Sequence, residues 1–246
     1  MPLFDLNVTL GRTALPAGAP FDTPGDLLEE MRRLRIDEAL VCHAIALEAD
    51  AEYGNALLIE QLRGHQNLFP CWVMAPPAFG DLPEPKGWVE RARSAGVRAV
   101  RFTPKHGHYS LGAWCTGPLL NQLEQAGMPV LLDFGEHHWS QSPIPWNDVL
   151  DICRRFPSLD VALIGVSVGD TRNLYAALRT APNLNLECHA FVLPDAYQLM
   201  AREGLAGRIL FGTGMPQCAG ENRVFQLCRS GLIQAEQTAA SWHNAH

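Results

Sequence analysis

The sequence predicts an α/β fold, a single (β/α)8 or TIM barrel that spans residues 1–246 as one domain. The chain has 246 residues, of which 47% are hydrophobic, and one barrel of eight βα units usually needs about 250 residues. Apolar runs of strand length recur along the chain with helical segments between them. This alternation is the pattern of parallel βα units packed around one sheet.

Eight apolar runs have the length and composition of buried strands. In a parallel sheet both faces of each strand are covered, so such strands appear as nearly continuous hydrophobic runs. We expect strands near residues 3–9, 38–43, 69–75, 97–102, 129–133, 160–164, 184–188 and 208–212. Their number matches one closed barrel.

The segments between these strands carry apolar residues at helical spacing. Thr23 and Pro24 predict an N-cap and a first turn for the first helix, and Gly96 predicts the end of a short helix before strand four. Pro- and Gly-rich stretches after strands are expected to be loops and not linkers between domains. We expect the later helices at residues 51–63, 88–95, 119–126, 146–155, 173–179, 195–203, 223–229 and 234–244.

Charge and composition exclude several classes of partner. The formal net charge is −7, and no run of Lys and Arg follows one helix face, so a nucleic-acid surface is not expected. No apolar stretch of about 18 residues and no signal peptide occur, so we expect a soluble, cytoplasmic protein without a membrane partner. Seven scattered cysteines without a C-x-x-C pair are expected to be reduced, with Cys42, Cys71 and Cys188 buried in strands.

Polar residues alternate along the first strand. Asp5, Asn7 and Thr9 share one face because successive side chains of a strand point to opposite sides. This is the geometry of a D-x-H-x-H metal site in which both histidines are replaced. Further matching segments follow in order along nearly the whole chain, at 34–39, Asn55, 96–101, 127–132, 156–159, 208–216 and 244–245.

This ordered series resembles the amidohydrolase superfamily, and in particular its amidohydrolase-2 branch of TIM-barrel hydrolases and decarboxylases. The resemblance implies a divalent metal site with ligands at five positions of the barrel mouth. Each position has changed, and the residues found there are Asn7, Thr9, Asp133, Gly165 and Gly214.

A catalytic divalent metal needs about three anionic or imidazole ligands, and among these residues only Asp133 binds a cation well. We therefore expect no metal and no other cofactor. The glycines at 165 and 214 remove bulk from the mouth, which either leaves a cavity or admits other side chains.

Candidate catalytic groups lie at the ends of strands five and seven, where barrel enzymes carry their active sites. After strand five, Asp133, Glu136, His137 and His138 offer carboxylates and imidazoles for general acid and base catalysis. Adjacent histidines on an extended segment face opposite ways, so one at most points into the pocket. The alternative is that both are partly exposed loop residues.

Strand seven ends in Glu187, Cys188 and His189. Glu187 and His189 share a face and form an acid/base pair if that face is the pocket. If it faces the helices, Cys188 points inward instead. We favour the first arrangement.

Candidate substrate-binding residues follow strand four. Arg101 and Lys105 suit a substrate carboxylate, or else form a surface or helix-packing pair. His106 and His108 imitate an H-x-H pair, but Pro104 and the intervening glycine favour a loop. Other candidates for substrate contact are Asn7, Thr9 and His43.

Three functions remain open. The first is metal-independent hydrolysis of a lactone, ester or amide, or lyase chemistry, on a small carboxylate substrate. The second is a non-catalytic protein that binds a small, anionic molecule or serves as a structural subunit. The third is a metal enzyme with rebuilt ligands, drawn from His106, His108, Asp133, His137 and Glu187. The sequence does not identify the substrate, and a homo-oligomer is compatible with it.

Overall fold

A computed structural model describes residues 2–14, 18–78, 80–135, 143–193, 195–232 and 234–243 of the chain. Eight parallel strands pair in chain order within one sheet. The sheet closes between its first and last strands, where Leu6 N donates to Phe211 O at 3.0 Å and Thr9 N donates to Met215 O at 2.9 Å. The predicted (β/α)8 barrel is confirmed.

The strands agree with the predicted runs to within a few residues at their ends. They are β1 Phe4–Leu10, β2 Glu38–His43, β3 Leu68–Val73, β4 Ala99–Phe102, β5 Val130–Asp133, β6 Val161–Ile164, β7 Leu184–Glu187 and β8 Ile209–Leu210.

The helices follow the strands as the apolar spacing predicts. They are α1 Pro24–Leu34, α2 Ala44–Glu48, α3 Ala51–Gln61, α4 Pro85–Ser94, α5 Ala113–Ala126, α6 Trp146–Arg155, α7 Thr171–Thr180, α8 Ala196–Arg202, α9 Gly220–Cys228 and α10 Gln234–Thr238. The chain continues from α10 into a wider helical turn at Ala239–His243.

Local sequence explains where α1 begins. Asp26 N donates to the Thr23 hydroxyl at 3.3 Å, and Thr23 N donates to the Asp26 carboxylate at 2.8 Å. Together with Pro24 in the first turn, this reciprocal pair satisfies backbone donors that the helix itself leaves unpaired. The predicted cap is confirmed.

Two helices differ most from the sequence prediction, while α4 and α9 begin three residues earlier than expected. The short helix α2 was not expected, and it follows β2 directly, with His43 as its N-cap. Helix α5 begins at Ala113 and not at residue 119, with Pro118 inside it. A proline lacks only one backbone donor, and in the early turns of a helix the packing of the apolar face outweighs that loss.

The core has two layers. Side chains between strands and helices form the larger one, with Trp88, Phe102 and Phe211 fully buried. A second layer fills the barrel interior, and it includes Cys42 and Cys71. Both cysteines are buried in strands as predicted, while Cys188 is buried one residue after β7. All seven cysteines are free thiols. In the described part of the chain, no helix has the length and apolarity to cross a membrane.

Candidate active site

Five polar side chains meet inside the barrel at the C-terminal ends of four strands. Asn7 comes from β1, Arg101 from β4, Asp133 from β5, and Glu187 and His189 from the end of β7. All except His189 are buried, and the His189 side chain is 14% exposed. Parallel strands bring their carboxyl ends to one face of the barrel, so residues far apart in sequence become neighbours here.

A buried ion pair forms one side of this group. The Asp133 Oδ2 atom accepts from Arg101 Nε at 2.9 Å and from Arg101 Nη2 at 2.6 Å, while its Oδ1 atom accepts from Gly135 N at 2.8 Å. The Arg101 guanidinium is buried, but the Asp133 charge opposes that cost and keeps the pKa of Arg101 above its usual value. Asp133 therefore holds Arg101 charged and in place.

Asn7 connects the ion pair to the opposite side of the barrel. Its Oδ1 atom accepts from Arg101 Nη1 at 3.0 Å, and its Nδ2 atom donates to Glu187 Oε2 at 3.1 Å. A cation on one side and a carboxylate on the other fix the orientation of the amide, because its oxygen can only accept and its nitrogen can only donate. A hydrogen-bonded chain thus runs from Asp133 to Glu187.

Glu187 and His189 form a carboxylate–imidazole dyad. His189 Nδ1 lies 2.5 Å from Glu187 Oε2, and His189 N donates to Glu187 Oε1 at 2.7 Å. Burial by itself lowers the pKa of His189, but the charge of Glu187 outweighs it, so the pKa is raised above its usual value. The carboxylate places the imidazole proton on Nδ1, which leaves Nε2 as the atom available to other groups.

The inward arrangement of Glu187 and His189 agrees with the prediction from strand alternation. Cys188 lies on the other face and packs in the layer between strands and helices.

Two glycines after β8 make room for this dyad. A Cβ atom at Gly212 would lie 2.3 Å from Glu187 Oε1, and one at Gly214 would lie 2.7 Å from His189 Cδ2. Both distances are far below van der Waals contact. The imidazole of His189 therefore occupies the space beside Gly214 that any side chain at that position would need.

Gly165, after β6, has a similar role toward the segment after β5. A Cβ atom there would lie 2.0 Å from Gly135 N, and Gly165 also has a φ of +79°. The sequence allowed either a cavity beside Gly165 and Gly214 or the entry of other groups, and the structure shows the second outcome. The space at both glycines is filled by other groups of the chain.

A second buried carboxyl group lies beside this network. Asp5 Oδ1 accepts from Thr213 N at 2.9 Å and from Asn7 N at 3.1 Å, and Thr213 Oγ1 lies 2.6 Å from Asp5 Oδ2. Complete burial, with a smaller contribution from the charge of Glu187, raises the pKa of Asp5 to about 7. These contacts tie β1 to the segment after β8.

The sequence did not single out Thr213 as a site residue. The one signal was that Asp5 lies two residues before Asn7 in the predicted first strand, and a β-bulge between Asp5 and Val8 breaks the alternation that would place both on one face.

The remaining predicted binding residues lie outside the hydrogen-bonded network. His43 is buried, its Nδ1 atom accepts from Ile45 N at 3.1 Å to cap α2, and burial lowers its pKa. Thr9 is buried on β1. Lys105 is half-buried and donates to Phe134 O at 3.4 Å, while His106 is exposed in the turn after β4. The prediction that His106 and His108 lie in a loop is confirmed.

Three predicted catalytic residues, Glu136, His137 and His138, lie outside the described residues, and their roles stay predictions. Within the described ranges, no group of three or more His, Cys, Asp and Glu side chains is arranged to hold a metal ion.

Solved structures share this fold over nearly the whole of this chain. An uncharacterised TIM-barrel protein from Bordetella bronchiseptica is 16% identical, with a TM-score of 0.77 over 100% of this chain and 97% of that one. The 5-carboxyvanillate decarboxylase of Sphingomonas paucimobilis is 12% identical, with a TM-score of 0.73 over 99% and 97% of the two chains. An amidohydrolase from Mycobacterium avium subsp. paratuberculosis is 16% identical, with a TM-score of 0.65 over 92% and 73%.

No protein-family model matches the sequence, and no curated protein sequence matches it. At these identities the structural likeness establishes the barrel fold that the chain shares with amidohydrolases and decarboxylases. The chemistry has to be argued from the residues of this chain.

Proposed function

We propose that this chain is a divergent member of the amidohydrolase-2 branch and an enzyme that works by acid–base catalysis without a metal ion. Its reaction is hydrolysis of a lactone, ester or amide, or a lyase reaction, on a small carboxylate substrate. The observation that carries the proposal is the Glu187–His189 dyad, which places a histidine of raised pKa at the mouth of the barrel.

His189 has the properties of a general base. With its Nδ1 proton held by Glu187, the Nε2 atom of the neutral imidazole can take a proton from an attacking water molecule and pass it to the leaving group. The Glu187 carboxylate balances the charge of the imidazolium that forms between these two steps. In a lyase reaction the same Nε2 atom would protonate the carbon from which a carboxyl group departs.

The residues at the inherited metal positions support the absence of a metal. Asn7 offers a neutral amide whose oxygen already accepts from Arg101, and Asp133 is paired with the same guanidinium. A divalent cation among these groups would be repelled by Arg101, and the glycines contribute no ligand. This donor set does not fit a catalytic divalent metal, and no step of the proposed reaction uses one.

Lys105 is the better candidate to bind the substrate carboxylate. The Arg101 charge is balanced by Asp133, so its pull on a second anion is reduced. The Lys105 ammonium has three N–H donors, and the one hydrogen bond described for it, to Phe134 O, is long at 3.4 Å. Roles for Asn7, Thr9, His43, Arg101 and His106 in substrate contact stay predictions.

The first test has two measurements. Wild-type protein is assayed against lactones, esters and amides of small carboxylic acids, and against aromatic carboxylic acids with CO2 release as the readout. With any substrate that turns over, we expect His189→Gln to lower kcat by about 10²–10⁴-fold. His65→Gln is the matched control, since His65 precedes β3 at the opposite end of the barrel, and it should retain full activity.

The pH dependence of kcat/KM tests whether His189 acts as the base. The base must be neutral, so kcat/KM should rise as the pH increases through the raised pKa of His189. Glu187→Gln removes the charge that raises this pKa, and the rising limb should move to lower pH. NMR titration of the His189 ring checks the same shift without a substrate. An unchanged His189 titration in Glu187→Gln would contradict the dyad.

A non-catalytic binding protein is the second candidate. It is favoured by the observation that Asp133, Arg101, Asn7 and Glu187 satisfy one another's hydrogen bonds. If the wild-type protein turns over any substrate and His189→Gln does not, the non-catalytic candidate is excluded. If no substrate of the panel turns over while the His189 titration behaves as expected, the binding protein is the better description.

A further inference from the structure

Two thiols lie side by side inside the barrel, next to the Arg101 guanidinium. The parallel register that pairs Val41 of β2 with Pro70 of β3 brings Cys42 opposite Cys71 at the next step. Both side chains belong to the cluster that fills the barrel interior, and Cys42 Sγ lies 3.4 Å from Cys71 O. Neighbouring strands are about 4.8 Å apart, within the roughly 4.4–6.8 Å between Cα atoms that a disulfide spans.

The two thiols differ in their ionisation. The Cys71 thiol, by hydrogen bonding to the Cys42 sulfur, and the nearby Arg101 guanidinium outweigh burial at Cys42 and lower the pKa of its thiol. At Cys71, burial and the adjacent Cys42 raise the pKa. The thiolate is the reactive form of cysteine, and the Arg101 guanidinium favours a thiolate at Cys42.

We infer that Cys42 and Cys71 form a redox-active pair inside the barrel, which a small peroxide oxidises to an intramolecular disulfide. The Cys42 thiolate attacks one peroxide oxygen, the O–O bond breaks, and the departing hydroxide takes up a proton to become water. Cys42 is then a sulfenic acid. The Cys71 sulfur attacks the Cys42 sulfur, the S–O bond breaks, and the hydroxyl group leaves with the Cys71 proton as a second water molecule.

Burial determines which reagents can take part. Cys42 and Cys71 are 2% and 1% exposed, so bulky disulfides and thiol reagents are excluded from the folded protein, whereas hydrogen peroxide is little larger than water. Cys71 carries the thiol that lies against Cys42, so it is the thiol placed to react with Cys42 once Cys42 is oxidised. The disulfide is therefore the expected product, in preference to a mixed disulfide. The inference does not depend on the proposed enzymatic function.

The test uses full-length wild-type protein treated with hydrogen peroxide, blocked with an alkylating reagent and digested with trypsin without reduction. Cleavage after Arg35, Arg63 and Lys86 places Cys42 and Cys71 on separate peptides, 36–63 and 64–86, each with one cysteine. We expect mass spectrometry to find these peptides cross-linked, with most of both in the linked form, and separated again by dithiothreitol. The exposed Cys228 reports that the oxidant was effective.

Variants separate the chemistry from unfolding. In Cys71→Ser, oxidised Cys42 should stop at the sulfenic acid, which dimedone added with denaturant will trap; in Cys42→Ser, Cys71 should stay reduced. Cys153→Ser is the matched control, because Cys153 is a buried thiol on α6 outside this pair, and it should cross-link like the wild type. The inference would be overturned if Cys228 is oxidised while peptides 36–63 and 64–86 stay separate. It would also be overturned if these two peptides become linked only after denaturation.

Discussion

At the scale of single residues, this barrel keeps charged groups inside and pairs them with one another. Arg101 contacts Asp133 and Asn7, and Asn7 passes the connection to Glu187. Taking a charge out of water costs several kcal/mol, so such groups persist only with partners of good geometry. Asp5 differs from the others, because it has no cation among its described partners and its pKa is raised to about 7.

The raised pKa of Asp5 makes the stability of the protein depend on pH. The folded state holds this proton up to about pH 7, whereas an unfolded Asp loses it near pH 4. The stabilisation that the protonated Asp5 carboxyl group contributes is therefore complete below pH 4 and is lost as the pH rises toward 7. Asp5→Asn imitates the protonated acid, so between pH 4 and 8 the variant should gain on the order of 4 kcal/mol relative to wild type, at about 1.4 kcal/mol for each pH unit.

Urea unfolding at a series of pH values measures this difference. Asp22→Asn is the control, since Asp22 is an exposed carboxylate paired with Arg12 and its pKa is lowered. Its curve should stay parallel to that of wild type above pH 4. If the plot of unfolding free energy against pH for Asp5→Asn is also parallel to that of wild type, Asp5 ionises like an exposed carboxylate.

At the scale of elements, glycines at the strand ends decide how closely the loops approach one another. Gly165 follows β6 with a φ of +79°, and its missing Cβ lets the backbone at Gly135 pack against it. Gly96 precedes β4 with nearly the same φ, +77°, but a Cβ there would meet nothing within 4 Å. Gly165 and Gly96 therefore have nearly the same backbone conformation, but a Cβ atom would meet other backbone atoms only at Gly165.

This pair predicts unequal costs for the same substitution. Gly96→Ala should lose about 1 kcal/mol of unfolding free energy, because an L-residue is strained at positive φ. Gly165→Ala carries the same strain and also displaces backbone, so its loss should be larger by about 2 kcal/mol or more. Chemical denaturation of both variants measures the difference. Equal losses of unfolding free energy in the two variants would mean that the backbone after β5 moves away from the added methyl group at no cost.

The sequence predicted the elements better than the contacts between them. Strand alternation correctly predicted that Glu187 and His189 share a face, because side-chain direction has a period of two residues. The same rule predicted one face for Asp5, Asn7 and Thr9, but a β-bulge between Asp5 and Val8 breaks the alternation along β1. The sequence did not predict that Asp133 pairs with Arg101, and it assigned them separate roles in proton transfer and substrate binding. Residues 32 positions apart in sequence meet only after the barrel closes.

At the scale of the whole molecule, the charge pattern of the barrel mouth predicts a protein that does not retain a divalent metal. Protein purified without chelator should contain well below one Zn, Mn, Fe or Co per chain by elemental analysis. Because a ligand that binds the folded state raises its stability by mass action, added Zn2+ or Mn2+ should also leave Tm unchanged. Stoichiometric metal that survives dialysis would favour the rebuilt site, and loss of that metal in His106→Ala with His108→Ala would locate it.

The sequence by itself determined the barrel, its eight strands, the cap of α1 and the types of side chain available at the strand ends. These features depend on local periodicity, on capping chemistry and on which side chains are present, all of which can be read along the chain. Only the tertiary structure decided that His189 fills the space beside Gly214, that Asn7 joins Arg101 to Glu187, and that Cys42 lies against Cys71. Those contacts depend on strand register and barrel closure, which bring together residues from separate βα units.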